Sequence, residues 1–265
     1  MNINLHTHTA RCGHAVGAER EYIERAIAGG FTDLGFSDHA PFVFPDGRTS
    51  RFRVPMHLAE DYMETLRRLR EEYRDRIRIH IGFEMEYYPK YFGEMLKTVN
   101  DLGVEYLICG QHFLGSEYPG IHRYTGDTGH TREELPEMAE TLLAALESGV
   151  FSYIAHPDVL NVIGEDEYYA ECMRPVCRRA AELSIPLEIN LLGIRENRAY
   201  PREYFWRVAG EEGCSVVYGS DAHSPETTVD AESLIRADEI VKKYHLKPVD
   251  RPTLIHPKTG VRTLL

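Results

Sequence analysis

The sequence predicts an α/β chain, one barrel of parallel strands with helices outside, in a single domain over residues 1–265. Three observations predict it. Short apolar runs alternate with amphipathic helical stretches seven times, the pattern of repeated strand–helix units and of a parallel sheet. These runs end again and again in His, Glu or Asp, which gathers polar side chains at one end of the strands. No linker or change of composition divides the chain, and no Gly-rich nucleotide loop follows the first strand, so an open doubly wound sheet is disfavoured.

The first strand, Ile3-Asn4-Leu5-His6-Thr7-His8, sets two imidazoles on one face, because strand positions two apart share a face. A loop with Cys12 and His14 leads into a helix over 17–29, with Tyr22, Ile23, Ala26 and Ile27 on one side and Gly29-Gly30 as its stop. Residues 32–39 form the second strand. The long loop 40–55 carries Arg48, Arg51 and Arg53, and a loop of that length is more often functional than idle. A charged amphipathic helix over 57–74 follows, apolar at Leu58, Met63, Leu66 and Leu69.

In the third strand, over 76–86, Ile77, Ile79, Ile81 and Phe83 alternate with Arg78, His80, Gly82 and Glu84. A helix over 89–100 and a strand over 104–110 lead to His112. The second long loop, 114–130, holds His122, Arg123, Tyr124 and Asp127. Thr131 and Glu134 make a capping box for a helix reaching about Ser148. The fifth strand, over 151–158, ends in His156-Pro157-Asp158. A helix over 165–183, bent at Pro175, leads to a sixth strand over 186–190. A helix over 202–212, a seventh strand over 215–223 ending in Asp221 and His223, a last helix over 228–244 and a polar tail complete the chain.

Hydrophobic residues make up 43% and charged residues 27%, a globular mix, with a net charge of −12. That charge argues against nucleic acid or an anionic membrane as partner. It leaves room for an anionic substrate if metal ions make the site locally positive. No apolar run has the length of a membrane span, no signal-peptide pattern opens the sequence, and five scattered cysteines read as free thiols. A cytoplasmic protein is expected. Nothing in the pattern sets the oligomeric state.

In a barrel of parallel strands the site lies at the C-terminal ends of the strands. Those ends carry His6, His8, His39, Glu84, His112, His156, Asp221 and His223, with His14 in the first loop. One metal ion takes three or four protein ligands. Nine candidates fit two or three divalent ions with a bridging carboxylate, and such clusters hydrolyse phosphate esters. Cys12 reads as a packed thiol without a free base, and His80 as a filler of the barrel interior. His57, His122, His130, His245 and His256 read as surface or loop residues.

The motifs His6-Thr7-His8-Thr9, Gly35-Phe36-Ser37-Asp38-His39-Ala40-Pro41, Gly82-Phe83-Glu84, His112-Phe113, His156-Pro157-Asp158, Glu188-Ile189-Asn190 and Gly219-Ser220-Asp221-Ala222-His223 span nearly the whole chain. On these the sequence resembles the polymerase-and-histidinol-phosphatase (PHP) superfamily, and within it the monofunctional L-histidinol-phosphate phosphatases. The resemblance implies a distorted TIM-like (β/α)7 barrel with a trinuclear site of zinc, manganese or iron. Carried over, the first metal takes His6, His8, Glu84 and Asp221. The second takes Glu84 as a bridge with His112 and His156, and the third takes His14, His39 and His223.

The implied reaction is hydrolysis of L-histidinol phosphate to L-histidinol and phosphate in histidine biosynthesis, by in-line attack of a metal-bridging hydroxide. Asp221 and His223 are candidates for proton handling, and Arg195 for the arginine beside the phosphate. Arg48, Arg51, Arg53 and Arg123 are loop alternatives to Arg195, and Glu117 and Asp127 are candidates for the polar lining around the substrate's ammonium and imidazole. Where the family commonly has Gly-Ser-x-His-Phe, this sequence has Cys109-Gly110-Gln111-His112-Phe113. That departure keeps other phosphomonoesters open as substrates, such as sugar or nucleotide phosphates or phosphotyrosine. A non-catalytic metal-binding accessory module is a further alternative.

Overall fold

The computed structural model describes residues 1–117, 123–164 and 166–265. His122 and Glu165, which the sequence reading placed in a loop and at a helix start, lie outside them. The described residues form an eight-stranded parallel sheet in sequential order. Its strands are β1 (Ile3–Asn4), β2 (Asp33–Phe36), β3 (Arg78–Met85), β4 (Tyr106–Cys109), β5 (Tyr153–Ile154), β6 (Leu187–Asn190), β7 (Ser215–Gly219) and β8 (Lys247–Pro248). Between and after them run α1 (Glu19–Ala28), α2 (Met56–Tyr73), α3 (Phe92–Leu102), α4 (Leu135–Ser148), α5 (Glu167–Leu183), α6 (Leu191–Arg195), α7 (Glu203–Glu211) and α8 (Ala231–Tyr244).

The sheet curls on itself. β7 pairs with β8 at its start, Ser215 facing Lys247, while just beyond its end Ala222 bridges Thr7 in parallel. At that bridge His8 N donates to Ala222 O at 3.0 Å, and Ala222 N donates to His6 O at 3.3 Å. The seven expected strands are therefore present, and the eighth is an addition wedged at the bottom of the seam. Because both faces of the sheet are covered, all four residues of β2, β4 and β6 are buried, the polar Asp33, Glu188 and Asn190 included.

The tail expected to be polar instead forms β8 and the hairpin of β9 (Thr253–Ile255) and β10 (Arg262–Leu264). Leu254 and Leu265 join Leu5, Tyr106, Ile108, Tyr153, Ala155 and Val217 in a buried cluster, and Ile255 N donates to Ser152 Oγ at 2.9 Å. This stretch plugs the N-terminal end of the barrel. The helices follow the sequence closely. The Thr131–Glu134 box forms, with Thr131 N donating to Glu134 Oε2 at 2.9 Å, and opens a single 3-10 turn before α4. α6 was not expected: Asn190 caps it, its side chain accepting from Gly193 N at 2.9 Å.

Candidate metal centre

β1, β2, β4, β5 and β7 end two or three residues before His6, His39, His112, His156 and Asp221, whereas Glu84 lies within β3. His39 lies in an isolated bridge with Glu84, and Ala40 N donates to Glu84 O at 2.8 Å, so the second and third strand ends are clamped together. Gly110 and Gly219 make room: a Cβ on Gly110 would strike the Glu84 carboxylate, and one on Gly219 the Glu188 carboxylate. His156 (φ 29°) and Asp221 (φ 47°) sit in the left-handed region, a strain that marks residues whose side chains are aimed by their surroundings.

The expected ligands converge. Glu84 is at the centre, 1% exposed. Its Oε1 lies 2.9 Å from His156 Nε2 and 3.5 Å from His112 Nε2. Its Oε2 lies 3.2 Å from His39 Nδ1, 3.5 Å from His6 Nε2 and 3.6 Å from His8 Nε2. Asp221 Oδ1 is 3.1 Å from His8 Nε2, 3.6 Å from His6 Nε2 and 3.4 Å from His223 Nδ1. His14 stands at the rim, its ring centroid 4.9 Å from His223 and 5.3 Å from His39.

Do these atoms suit cations? His6 Nε2, His8 Nε2, His39 Nδ1 and Asp221 Oδ1 are buried and make no hydrogen bond among the described residues, and such orphans are costly unless an ion takes them. Ligand atoms of His6, His8 and Asp221 lie within 4.8 Å of one another, as do those of His6, Glu84 and His156, of His39, Glu84 and His112, and of His8, His39 and His223. The donor set of imidazoles and carboxylates suits divalent metal ions, and Glu84 presents one oxygen to each side as a bridge would.

Electrostatics agree. Burial resists charge on Glu84, but His112, His6 and His39 hold its carboxyl well below the ordinary range. Asp221 is likewise lowered, against burial, by His6 and His8. Burial and the neighbouring His8 keep His223 neutral, with a pKa of about 3, as a ligand imidazole must be. His8 is the opposite case: despite burial, Asp221 and Asp38 raise it to about 9. The carboxylates call for positive charge at the very place where the orphan nitrogens point.

A ring of carboxylates orients the imidazoles, and the sequence reading assigned none of them. Glu188 Oε1 accepts from His6 Nδ1 at 2.8 Å, Glu86 Oε1 from His112 Nδ1 at 2.8 Å, and Asp38 Oδ1 lies 3.4 Å from His8 Nδ1. Such outer partners fix the tautomer and raise ligand basicity. The Glu188-Ile189-Asn190 and Ser37-Asp38-His39 motifs carried the only sequence signal for them.

The cluster forms the floor of a cavity of about 720 Å³, walled by Phe44, Phe52, Phe113, Tyr124 and Tyr200. Arg195 does not line it. Standing at the end of α6, Arg195 pairs with Asp230 at 2.8 Å, and Asp230 caps α8, so this arginine ties two helices together. Arg198, three residues on, does line the cavity, as do Arg48, Arg51 and Glu117. Arg53 is buried behind the wall, Arg123 is tied to Glu134 and Glu137, and Asp127 faces solvent. Gln111 turns away, its Oε1 accepting from Tyr87 N at 2.9 Å and its Nε2 donating to Phe113 O at 2.7 Å. His80 is held by Asp33 at 2.9 Å in the barrel's lower layer, and Cys12 is a buried thiol donating to Thr9 O at 3.1 Å.

A curled parallel sheet with a buried imidazole–carboxylate cluster at its C-terminal ends is the arrangement of the α/β-barrel metalloenzymes. Within that class the chain belongs to the PHP family, the model of the PHP domain matching residues 4–191. It is 29% identical over 231 residues to the probable histidinol-phosphatase of Deinococcus radiodurans, covering 83% of this chain and 85% of that one. It is 25% identical over 249 residues to the histidinol-phosphatase of Bacillus subtilis, covering 82% of this chain and 92% of the other. The structure of histidinol phosphate phosphatase from Lactococcus lactis, complexed with zinc, L-histidinol and phosphate, matches over 97% of both chains. Its TM-score is 0.71 at 19% identity, a likeness of fold.

Proposed function

We propose that this chain is a metal-dependent phosphomonoesterase that hydrolyses L-histidinol phosphate to L-histidinol and phosphate, a step of histidine biosynthesis. The observation that carries the reading is the convergence of seven imidazoles around Glu84 and Asp221 at the floor of one cavity. The relatives named histidinol-phosphatases support the substrate. His6, His8, Glu84 and Asp221, then Glu84, His112 and His156, then His14, His39 and His223 are the sets we assign to three ions, whether zinc, manganese or iron. Divalent ions there supply positive charge for the phosphoryl oxygens and an activated water.

The chain's own groups do the rest. Arg198 brings a guanidinium to the cavity, matched to phosphate oxygens. Asp221 is held by Asn190 Nδ2 on Oδ2 at 3.0 Å, which leaves Oδ1 turned to His8. Asp221 and His223, both on the cavity, are the groups to which we assign proton handling: as an ionised carboxylate and a neutral imidazole they would take up the proton of the attacking water and pass it to the leaving oxygen. Phe52, Phe113 and Tyr200 exclude water from the floor. No helix among the described residues is long and apolar enough to cross a membrane, and the five cysteines are free, which supports a reducing, cytoplasmic setting.

Phosphate release from L-histidinol phosphate, set beside a panel of other phosphomonoesters, tests the reading. The protein is stripped of metal and reconstituted separately with manganese, zinc and iron. A kcat/KM of about 10⁴ M⁻¹s⁻¹ or more for histidinol phosphate, above every competitor, is the expected result. Hydrolysis of the panel without that preference overturns the substrate, and no hydrolysis with any metal overturns the activity.

A further inference from the structure

Tyr200 is placed to do more than exclude water. It lies in the cavity wall, 4% exposed, with its ring centroid 6.0 Å from that of the ligand histidine His156. Its place is fixed by Gly193 in α6, where a Cβ would meet the Tyr200 ring at 2.4 Å. The chain between them is pinned as well, Arg198 N donating to Gly193 O at 2.9 Å. The phenol is thus held against the metal centre from the His156 side, already oriented before any ligand arrives.

Its hydroxyl is only half used. A phenol has one O–H to donate and lone pairs with which to accept, and it keeps its proton at neutral pH. Arg198 Nη1 donates to the oxygen at 3.4 Å. No acceptor for the O–H itself stands within hydrogen-bond distance among the described residues. The proton is therefore left for whatever fills the cavity. Chemistry narrows what that is: an ammonium cannot accept a proton, whereas phosphoryl oxygens do nothing else. The neighbouring guanidinium points the same way. Glu196 Oε2 holds Arg198 Nε at 2.9 Å and Nη2 at 2.7 Å, and Nη1 is turned to Tyr200. A hydroxyl whose oxygen accepts from a cation is polarised and donates more strongly.

We infer that Tyr200 is a catalytic residue of this site, its hydroxyl donating a hydrogen bond to a phosphoryl oxygen of the bound ester beside Arg198. The inference rests on the phosphomonoesterase reading above and adds a neutral donor to the charged groups of the floor. No proton changes hands at Tyr200: the O–H stays with the phenol. The bond strengthens as negative charge builds on the phosphoryl oxygens in the transition state. Because the ring is fixed by Gly193, the donor needs no reorganisation at that moment, which is where such a group gains its effect.

The test compares Tyr200→Phe with wild type on L-histidinol phosphate and on phenyl phosphate. Both proteins are reconstituted with the same metal, and their metal content and thermal unfolding are measured. Y200F removes one oxygen and leaves the ring against Gly193. It is expected to lower kcat about 10- to 100-fold on both esters, by equal factors and with metal content unchanged. The factors are equal because the two esters share only the phosphoryl group. If Y200F does not fold, Tyr200→Met fills the space without a donor and must show the same loss. Activity equal to wild type means that Tyr200 is only a wall. A loss confined to histidinol phosphate means that the hydroxyl meets the alcohol part, and a fall in metal content means that it supports the centre. Each of these overturns the inference alone. A wild type that hydrolyses neither ester with any metal overturns the phosphomonoesterase reading and this inference with it.

Discussion

Glu188 shows how much of this site rests on single residues that touch no substrate. It lies within β6, fully buried, with Oε1 on His6 Nδ1 at 2.8 Å. Its Oε2 accepts from His156 N at 3.1 Å and from Asn190 Nδ2 at 3.0 Å. One carboxylate thus sets the tautomer of His6 and holds the strained backbone of His156. Glu188→Gln keeps the size and loses the charge. It is expected to weaken metal affinity about 10- to 100-fold, read by competition with a chelator of known affinity. Affinity equal to wild type would show that His6 is oriented by packing alone. The same scale explains the arginine. Arg195 and Arg198 both follow β6 in sequence, yet the first pairs with Asp230 at 2.8 Å, while the second lines the cavity with its guanidinium also paired to Glu196 at 2.7 Å.

At the scale of elements, strand ends carry the candidate site and strand starts hold the barrel. At the base of β2, Asp33 accepts from Arg78 Nε at 2.7 Å, Arg78 Nη2 at 2.6 Å and His80 Nε2 at 2.9 Å, all from β3. Burial pushes the Asp33 carboxyl up, but the hydrogen bonds from His80, Arg78 and Thr32 prevail and hold it at about 2. A carboxyl lowered in the folded state gives stability that is present above its unfolded value of about 3.9 and lost as pH falls through the folded one. The gap in unfolding temperature between wild type and Asp33→Asn is therefore expected to be widest above pH 4 and to narrow toward pH 2. A gap constant with pH would mean that the pairing contributes no pH-dependent stability. Long elements with clear periods, such as α2 and β3, are legible in the sequence. α6 and β8 are not, because five and two residues are too short to show a period.

For the whole molecule, a cluster of buried carboxylates and unpaired imidazole nitrogens couples metal binding to folding. Metal that binds only the folded chain adds about 2.7 kcal/mol at a free concentration of 100 times its dissociation constant. Removal by a chelator is expected to lower the unfolding temperature, with recovery on adding back zinc or manganese. An unchanged transition in protein shown to be metal-free would separate the cluster from stability. The C-terminal hairpin contributes at this scale too, since Leu254 and Leu265 close the end of the barrel opposite the site.

The sequence by itself determined the succession of strands and helices, and with it the end of the barrel where His6, His8, His39, Glu84, His112, His156, Asp221 and His223 emerge. Both are written in local pattern, the alternation within a run and the residue that ends it. Tertiary structure alone decided that Glu188 reaches His6 across 182 positions, that Arg53 is buried between Glu86 and Glu117, and that Arg198 rather than Arg195 faces the cavity. Those pairings depend on how separate elements sit against one another, and a charged residue in a loop has the same local pattern whether it meets solvent, a helix cap or a ligand.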